Sequence, residues 1–415
     1  MKQNQPYYKL IVLIIAGEAV FFLPFVLQRV FRPTFLDVFS LNNLELGLCF
    51  TVYGIIALFS YLFGGGLADR FRPNILMAIS LFLTAAGGFY MATYPSLLGL
   101  KVLYGYWGFS SIFLFWAAMI KATRIWGGEA KQLKAFAFLD GGRGLIGALL
   151  GSLGVAVFGS LLVDGIDNIN VQDKRIAFRL VVQVVSIIVL IVGVLCLLFL
   201  RSKETGDKEI SDKIGFEQVL AVLRIPSVWY LMVIILCAYF AYKVTDTVSL
   251  YAHEVMGYDE IKSANLATFL LYTRPIVGLG IALFASLIKS SKFLIISFIF
   301  LIVGSGIFAS GINSPSSDLL FFISVMIVAV GIYAARTLYF AVLQEGRIPL
   351  YLTGTAVGLI SFLGYTPDIF GGPFIGVLLD DYPGEYGHQL VFLLIGAFSI
   401  VGLIAAIGFS RFVNK

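Results

Sequence analysis

Long apolar runs alternate with short polar breaks from one end of the chain to the other. A run of about 20 apolar residues is what an α-helix needs to cross a hydrocarbon layer of roughly 30 Å. Read this way, the pattern predicts helices at 9–30, 44–66, 74–93, 97–121, 135–162, 177–200, 226–251, 262–288, 293–312, 318–344, 351–379 and 389–410. The short period-two alternation of a membrane β-barrel is not seen. One polar break is long: 201–225 (RSKETGDKEISDKIGFEQVLAVLRI) carries charges of both signs and has six helices on either side. The expectation is an all-α polytopic membrane protein with a six-helix bundle at 1–200, a linker at 201–225 and a second six-helix bundle at 226–415.

Two segments echo each other. GGRGLIGALLG (141–151) in helix 5 is answered by GGPFIGVLLD (371–380) in helix 11. Gly147 with Gly151, and Gly372 with Gly376, give the small-xxx-small spacing that lets helix backbones approach closely. Parallel halves related by an axis along the membrane normal would place the echo this way.

Composition agrees with lipid as the main solvent. The 415 residues are 59% hydrophobic and 13% charged, with a mean hydropathy of +0.95, so too few polar side chains exist to cover a water-soluble core. The net charge of +5 is spread over turns and makes no patch for nucleic acid. Even-numbered loops are rich in cations: Arg70 and Arg72; Lys121, Arg124, Lys131 and Lys134; then Arg201, Lys203, Lys208, Lys213 and Arg224. Odd loops are poorer, and the last carries Asp380, Asp381 and Glu385. Cationic loops stay in the cytoplasm, so both termini are expected there, with the protein in the cytoplasmic (inner) membrane.

The first run, from Lys9 to Val30, is too long for a signal peptide, carries Glu18 and lacks a small-residue cleavage site, so it reads as a permanent helix. Cys49, Cys196 and Cys237 lie inside apolar runs, and His253 and His388 stand alone. Neither a disulfide framework, a metal site nor a cofactor is expected.

After helix 2 comes GGGLADRFRPN (64–74), at a very short turn. It resembles the signature G-x-L-a-D-r-x-G-r-[RK] between helices 2 and 3 of the major facilitator superfamily. Gly65 (or Gly66), Leu67, Ala68, Asp69, Arg70 and Arg72 match in kind, while Phe71 or Arg72 stands where the second glycine would be and Pro73 opens the next helix. FWAAMIKATRIWGG, LDGGRG and GYTPDIFGGPFIGVLLD are similar to a bacterial branch related to the YihN-type and the organophosphate or nitrate carriers. The resemblance spans essentially the whole chain. It implies two pseudo-symmetric bundles rocking around a midplane site, with Gly65, Asp69 and Arg70 in a gate whose charge-assisted contacts break as one half moves. Asp140 and Arg143, at helical spacing near the turn in that fold, are expected to form a further gate or structural ion pair.

The GGRGLIG segment contains G-x-G-x-x-G from Gly142 to Gly147, but it follows no strand, so dinucleotide binding is rejected. No G-x-x-x-x-G-K-[ST] loop is present to bring ATP. An enzyme is not expected either: H-E-x-x-H and G-x-S-x-G are absent.

Charges at membrane depth are costly unless paired or hydrated, which marks them as functional candidates. Six stand out: Glu18 on helix 1, Lys243 and Asp246 on helix 7, Arg274 on helix 8, Arg336 on helix 10 and Asp368 on helix 11. In the superfamily these helices line the central cavity. Lys243 and Asp246, three apart, can neutralise each other or serve function. Arg274 and Arg336 have no acidic residue at helical spacing, so their anion must come from Glu18 and Asp368 on other helices or from the substrate. Tyr333, Tyr339 and Phe340 around Arg336 suit an organic molecule or ordinary packing. Pro24, Pro275, Pro367 and Pro373 lie near these charges and can break their helices. Arg29 and Lys101, near the outer surface, are expected to reach for water.

The expected function is secondary active transport of a small organic anion, coupled to protons or to exchange with a counter-substrate. Arg274, Arg336, Lys243 and Tyr333 would bind the substrate, and Glu18, Asp368 or Asp246 would carry the proton. The alternatives are a carrier of a neutral or zwitterionic solute, in which the arginines stay paired with Glu18 and Asp368, and a transport-incompetent sensor. A monomer in the bilayer is expected.

Overall fold

The computed structural model describes residues 6–414 except 128–131, 162–169, 202–215, 285–287, 340–341, 344 and 350–351. Twelve helices among the described residues are long and apolar enough to cross a membrane. We number the spanning helices α1 (Tyr7–Val30), α2 (Asn43–Arg70), α3 (Pro73–Met91), α4 (Leu97–Gly127), α5 (Gln132–Ser160) and α6 (Val171–Phe199). The second set is α7 (Pro226–Asp246), α8 (Glu260–Phe284), α9 (Ser290–Ala309), α10 (Asp318–Leu338), α11 (Thr355–Asp381) and α12 (Glu385–Val413). The order matches the apolar pattern helix for helix, although the tenth ends at Leu338, short of the expected 344.

Local signals set the boundaries. Asn42 and Glu45 form a capping box at the start of α2, each side chain accepting the other's backbone N–H at 2.8 and 3.0 Å. Pro73 and Pro226 sit in the first turns of α3 and α7, where no amide hydrogen is needed. Along the interior-facing helices the regular ladder breaks. Helix α1 has a π-turn at Phe22–Val26 around Pro24, and α7 tightens into a 3-10 turn at Lys243–Asp246. In α11 the regular helix stops at Gly364 and restarts at Pro367. Apolar side chains on the outer surface, such as Leu279 and Leu283 or Ile400 and Ile404, recur four apart as stripes on one helix face. Lipid is what such faces meet.

The first six helices meet the last six along two seams, α2 with α11 and α5 with α8. A Cβ on Gly47 would lie 2.5 Å from the backbone carbonyl carbon of Gly372, and one on Gly376 would lie 2.6 Å from the Cα of Leu44. Only glycine admits so close an approach. On the other seam Gly151 faces Thr268, and Ser152 shares a 3.0 Å hydrogen bond with Tyr272. The echoed glycine segments of α5 and α11 thus occupy the two seams. The closest approaches, Gly47 and Gly376 among them, lie toward the end that carries residues 31–43 and 382–384, called here the closed end. The opposite end carries Arg201 and residues 216–225, which flank the linker, and is called the linker end.

Candidate functional site

Polar side chains enter the helix bundle in layers. At the closed end, the short helix Arg32–Phe39 folds back after α1. Arg32 donates to Asn43 Oδ1 at 3.1 and 2.9 Å and to the Asp246 carbonyl at 3.3 Å. Asp380 of α11 accepts the backbone N–H groups of Asn43 at 2.9 Å and Leu44 at 2.7 Å, so a second-half carboxylate caps a first-half helix. Lys174 of α6 bridges Asp37 (2.7 Å) and Glu260 (2.5 Å), the latter on α8.

One layer deeper, the 3-10 turn of α7 aims Lys243 and Asp246 inward. Asp246 receives Arg29 Nε and Nη2, both at 2.8 Å, and Lys243 at 3.3 Å. Lys243 reaches on to Asp368 Oδ1 at 3.2 Å, and the Tyr239 hydroxyl donates to both oxygens of Asp368 at 3.0 Å. Arg29 also donates to the Tyr242 hydroxyl at 2.7 Å. Arg29 is buried, 3% exposed, and does not reach for water as its place near the end of an apolar run implied. The chain after Val30 folds over it, and Asp246 supplies its counter-charge. A cavity of about 10 Å³, room for one water, lies beside Arg32, Lys243 and Asp246.

Toward the centre, the Arg336 guanidinium lies 4.2 Å over the Tyr242 ring, and its Nη1 has no hydrogen-bond partner. No carboxylate pairs with Arg336 among the described residues. Arg274 does have one: Asp140 of α5, at 2.5 Å. Glu18 of α1 pairs with Arg143 at 3.3 Å. Two expectations therefore change. Arg274 takes its anion from Asp140, not from Glu18 or Asp368, and Asp140 and Arg143 each turn to a different partner. The cause is tertiary: α8 and α1 both pack against α5, and each brings a counter-charge to it.

Aromatic rings join these charges. Arg143 lies 5.3 Å from the Phe21 ring and 5.9 Å from Trp116. Tyr61 of α2 and Tyr365 of α11 stack at 6.4 Å across the two halves, and Tyr365 meets Tyr239 at 4.8 Å. Tyr333 is fully buried behind Arg336 with its hydroxyl unpartnered. The Asp140 side chain is 42% exposed and that of Asp368 14%, so both can meet an incoming solute, whereas Glu18, Lys243 and Asp246 are buried.

Among the residues expected in the gate, Arg70 is exposed at the linker end of α2, and the side chains of Gly65 and Asp69 lie outside the described residues, as does Phe340. Lys121 of α4 donates to the Ala68 carbonyl at 2.7 Å, tying the turn to its neighbour. His388 is buried against Glu254 at 3.0 Å, so it does not stand alone. Sequence reasoning passed over Tyr239 and Tyr242. Their one visible signal is an i, i+4 relation, Tyr239 to Lys243 and Tyr242 to Asp246, which an apolar helix rich in aromatics hides.

The sequence profile of the Major Facilitator Superfamily matches residues 13–372. Two inner membrane proteins of Escherichia coli (strain K12) are similar over almost the whole chain. YqcE is 25% identical over 394 residues, 93% of this chain and 90% of that protein. YihN is 23% identical over 412 residues, 95% and 93% respectively. Among solved structures, a bacterial homologue of the human lysosomal transporter Spinster, inward-facing and occupied, aligns with a TM-score of 0.75 at 15% identity, covering 98% of this chain and 97% of that one. The nucleoside transporter NupG aligns with a TM-score of 0.72 at 14% identity, covering 97% and 98%. Identities this low speak for the fold alone.

Proposed function

The chain belongs to the major facilitator superfamily, and on that premise we propose that it carries a small organic anion across the cytoplasmic membrane by alternating access. The observation that carries this reading is Arg336: a guanidinium at membrane depth, over an aromatic ring and without a carboxylate partner among the described residues. Arginine does not escape burial by losing its proton, so the missing negative charge is left to the substrate. Carboxylate and phosphate groups match its planar fork of donors. Tyr333 and the Tyr239–Tyr242–Tyr365 rings supply apolar walls, and Arg274 and Lys243, held by Asp140 and Asp368, stand ready to exchange partners with the ligand.

The two halves, 1–200 and 226–415 with 201–225 between them, rock about this site. Cation-rich turns at the linker end favour an orientation with that end and both termini in the cytoplasm. A cysteine introduced at Ser314 is then labelled by impermeant maleimide from outside intact cells, and labelling only after lysis reverses the orientation. Coupling runs through exchange or through a proton on Glu18, Asp368 or Asp246. Asp368 is the best placed of these, since it is part-exposed and shared between Lys243 and Tyr239. Retention of proton-driven accumulation in both Glu18→Gln and Asp368→Asn rules out the proton on those two carboxylates.

A neutral solute is the second reading. It draws on the pairing of Arg274 with Asp140, which removes one of two cations from the case for an anion. Thermal unfolding of the purified protein across a metabolite library separates the two, because a ligand that binds only the folded state raises its apparent stability. Organic anions are expected to stabilise the protein and to lose that effect in Arg336→Ala. Stabilisation by neutral compounds that persists in Arg336→Ala supports the second reading instead.

A further inference from the structure

The interior charges can be paired off. Glu18 answers Arg143, and Asp140 answers Arg274. Asp246 and Asp368 together answer Arg29 and Lys243, with Lys243 shared between the two carboxylates. Nearer the closed end, Arg32 and Asp380 offset each other through Asn43. Among the described residues Arg336 remains, and with it one positive charge.

We infer that the central site takes ligands with one net negative charge, organic monoanions, and takes a dianion only together with a proton. This rests on the organic-anion reading above and adds the charge of the substrate to it. A monoanion on Arg336 leaves every interior charge answered. Among the described residues a second negative charge finds no free cation: Arg29, Arg143, Lys243 and Arg274 each have a carboxylate within 3.3 Å, and Arg32 is held by Asn43 and the Asp246 carbonyl. The nearest route to a second cation is to draw Arg274 from Asp140. That leaves the Asp140 carboxylate without its cation beside the incoming dianion, and like charges meet unless it binds a proton, so the proton arrives with the dianion. Asp140, the more exposed member of its pair, is the carboxylate positioned to accept it.

The test uses the full-length protein in detergent and apparent affinities read from thermal shifts. Phenylacetate, phenylsuccinate, phenyl phosphate and the neutral phenylacetamide are compared at pH 5 and pH 7.5, on either side of the second phosphate ionisation at about 6. The expected order at pH 7.5 is phenylacetate at least tenfold tighter than phenylsuccinate. Phenyl phosphate is expected to bind at least tenfold tighter at pH 5 than at pH 7.5, while phenylacetate changes by less than threefold. Asp140→Asn frees Arg274 as a second cation and is expected to abolish or reverse the preference against dianions at pH 7.5. Dianions that bind the unmodified protein at pH 7.5 as tightly as monoanions, with no change in Asp140→Asn, overturn the single-charge inference and leave the anion reading standing. Stabilisation by phenylacetamide alone, or no anion that stabilises the protein more than its Arg336→Ala variant, overturns both.

Discussion

Asp246 holds two cations at once, Arg29 at 2.8 Å and Lys243 at 3.3 Å, and all three side chains are buried. Removing one partner from such a group costs about 3–5 kcal/mol, because the remaining charge is stranded in a poor solvent. Asp246→Ala strands Arg29 and leaves Lys243 to Asp368, whereas Arg29→Ala leaves Asp246 still paired with Lys243. The expected order of destabilisation is therefore Asp246→Ala above Arg29→Ala, with the double replacement Arg29→Met and Asp246→Leu milder than the sum of the two single losses. Chemical or thermal unfolding in detergent reads this order, and strictly additive losses show that the two residues act separately. Ionisable residues at depth were legible in the sequence because each interrupts an apolar run. The Lys243–Asp246 pair was legible too, from its spacing, but the other partners were not, because Arg29 and Asp246 are 217 positions apart and Arg274 and Asp140 134 apart. Arg29 was misplaced for a related reason. An arginine in the last turn of an apolar run ordinarily bends toward water, and nothing in the run shows that the segment after it folds over the top.

Helices α2 and α11 meet backbone to backbone at Gly47, Gly372 and Gly376. A methyl group at Gly47, 2.5 Å from a backbone carbon, can be housed only if the helices part. Gly47→Ala is expected to weaken the closed end and populate the state open on that side. Spin labels at Ser40 and Tyr382, in a background without native cysteines, read this as longer distances in Gly47→Ala than in the parent, and unchanged distances remove the glycine seam from the closing contact. The seam was half legible: the G-x-x-x-G spacing of α11 was visible, but its receiving residues, Gly47 and Leu44, carry no motif. Helix breaks show the same divide. Pro24 announces the π-turn at Phe22–Val26, while the one at Phe109–Trp116 contains no proline to announce it.

Across the molecule, twelve spans and one long polar break after the sixth convey the architecture directly, because hydrocarbon allows backbone polar groups no partner except within a helix. What the pattern does not convey is the summed charge that the moving halves enclose. On the proposed monoanion reading, the positive charge on Arg336 has an electrical consequence for the cycle. An empty carrier that reorients shifts up to one elementary charge across the membrane field, worth at most about 2.3 kcal/mol per 100 mV, whereas a carrier loaded with a monoanion shifts none. An inside-negative potential then holds the empty carrier open to the cytoplasm and leaves the loaded one indifferent. In proteoliposomes under an imposed potassium diffusion potential, one-for-one exchange should run at the same rate at every voltage, while net uptake, which needs the empty return, should change steeply. Exchange that follows the voltage would mean that the loaded protein is itself charged. With the field on, a monoanion answering Arg336 would make a swap of solutes the voltage-independent path and a one-way delivery the electrically regulated one.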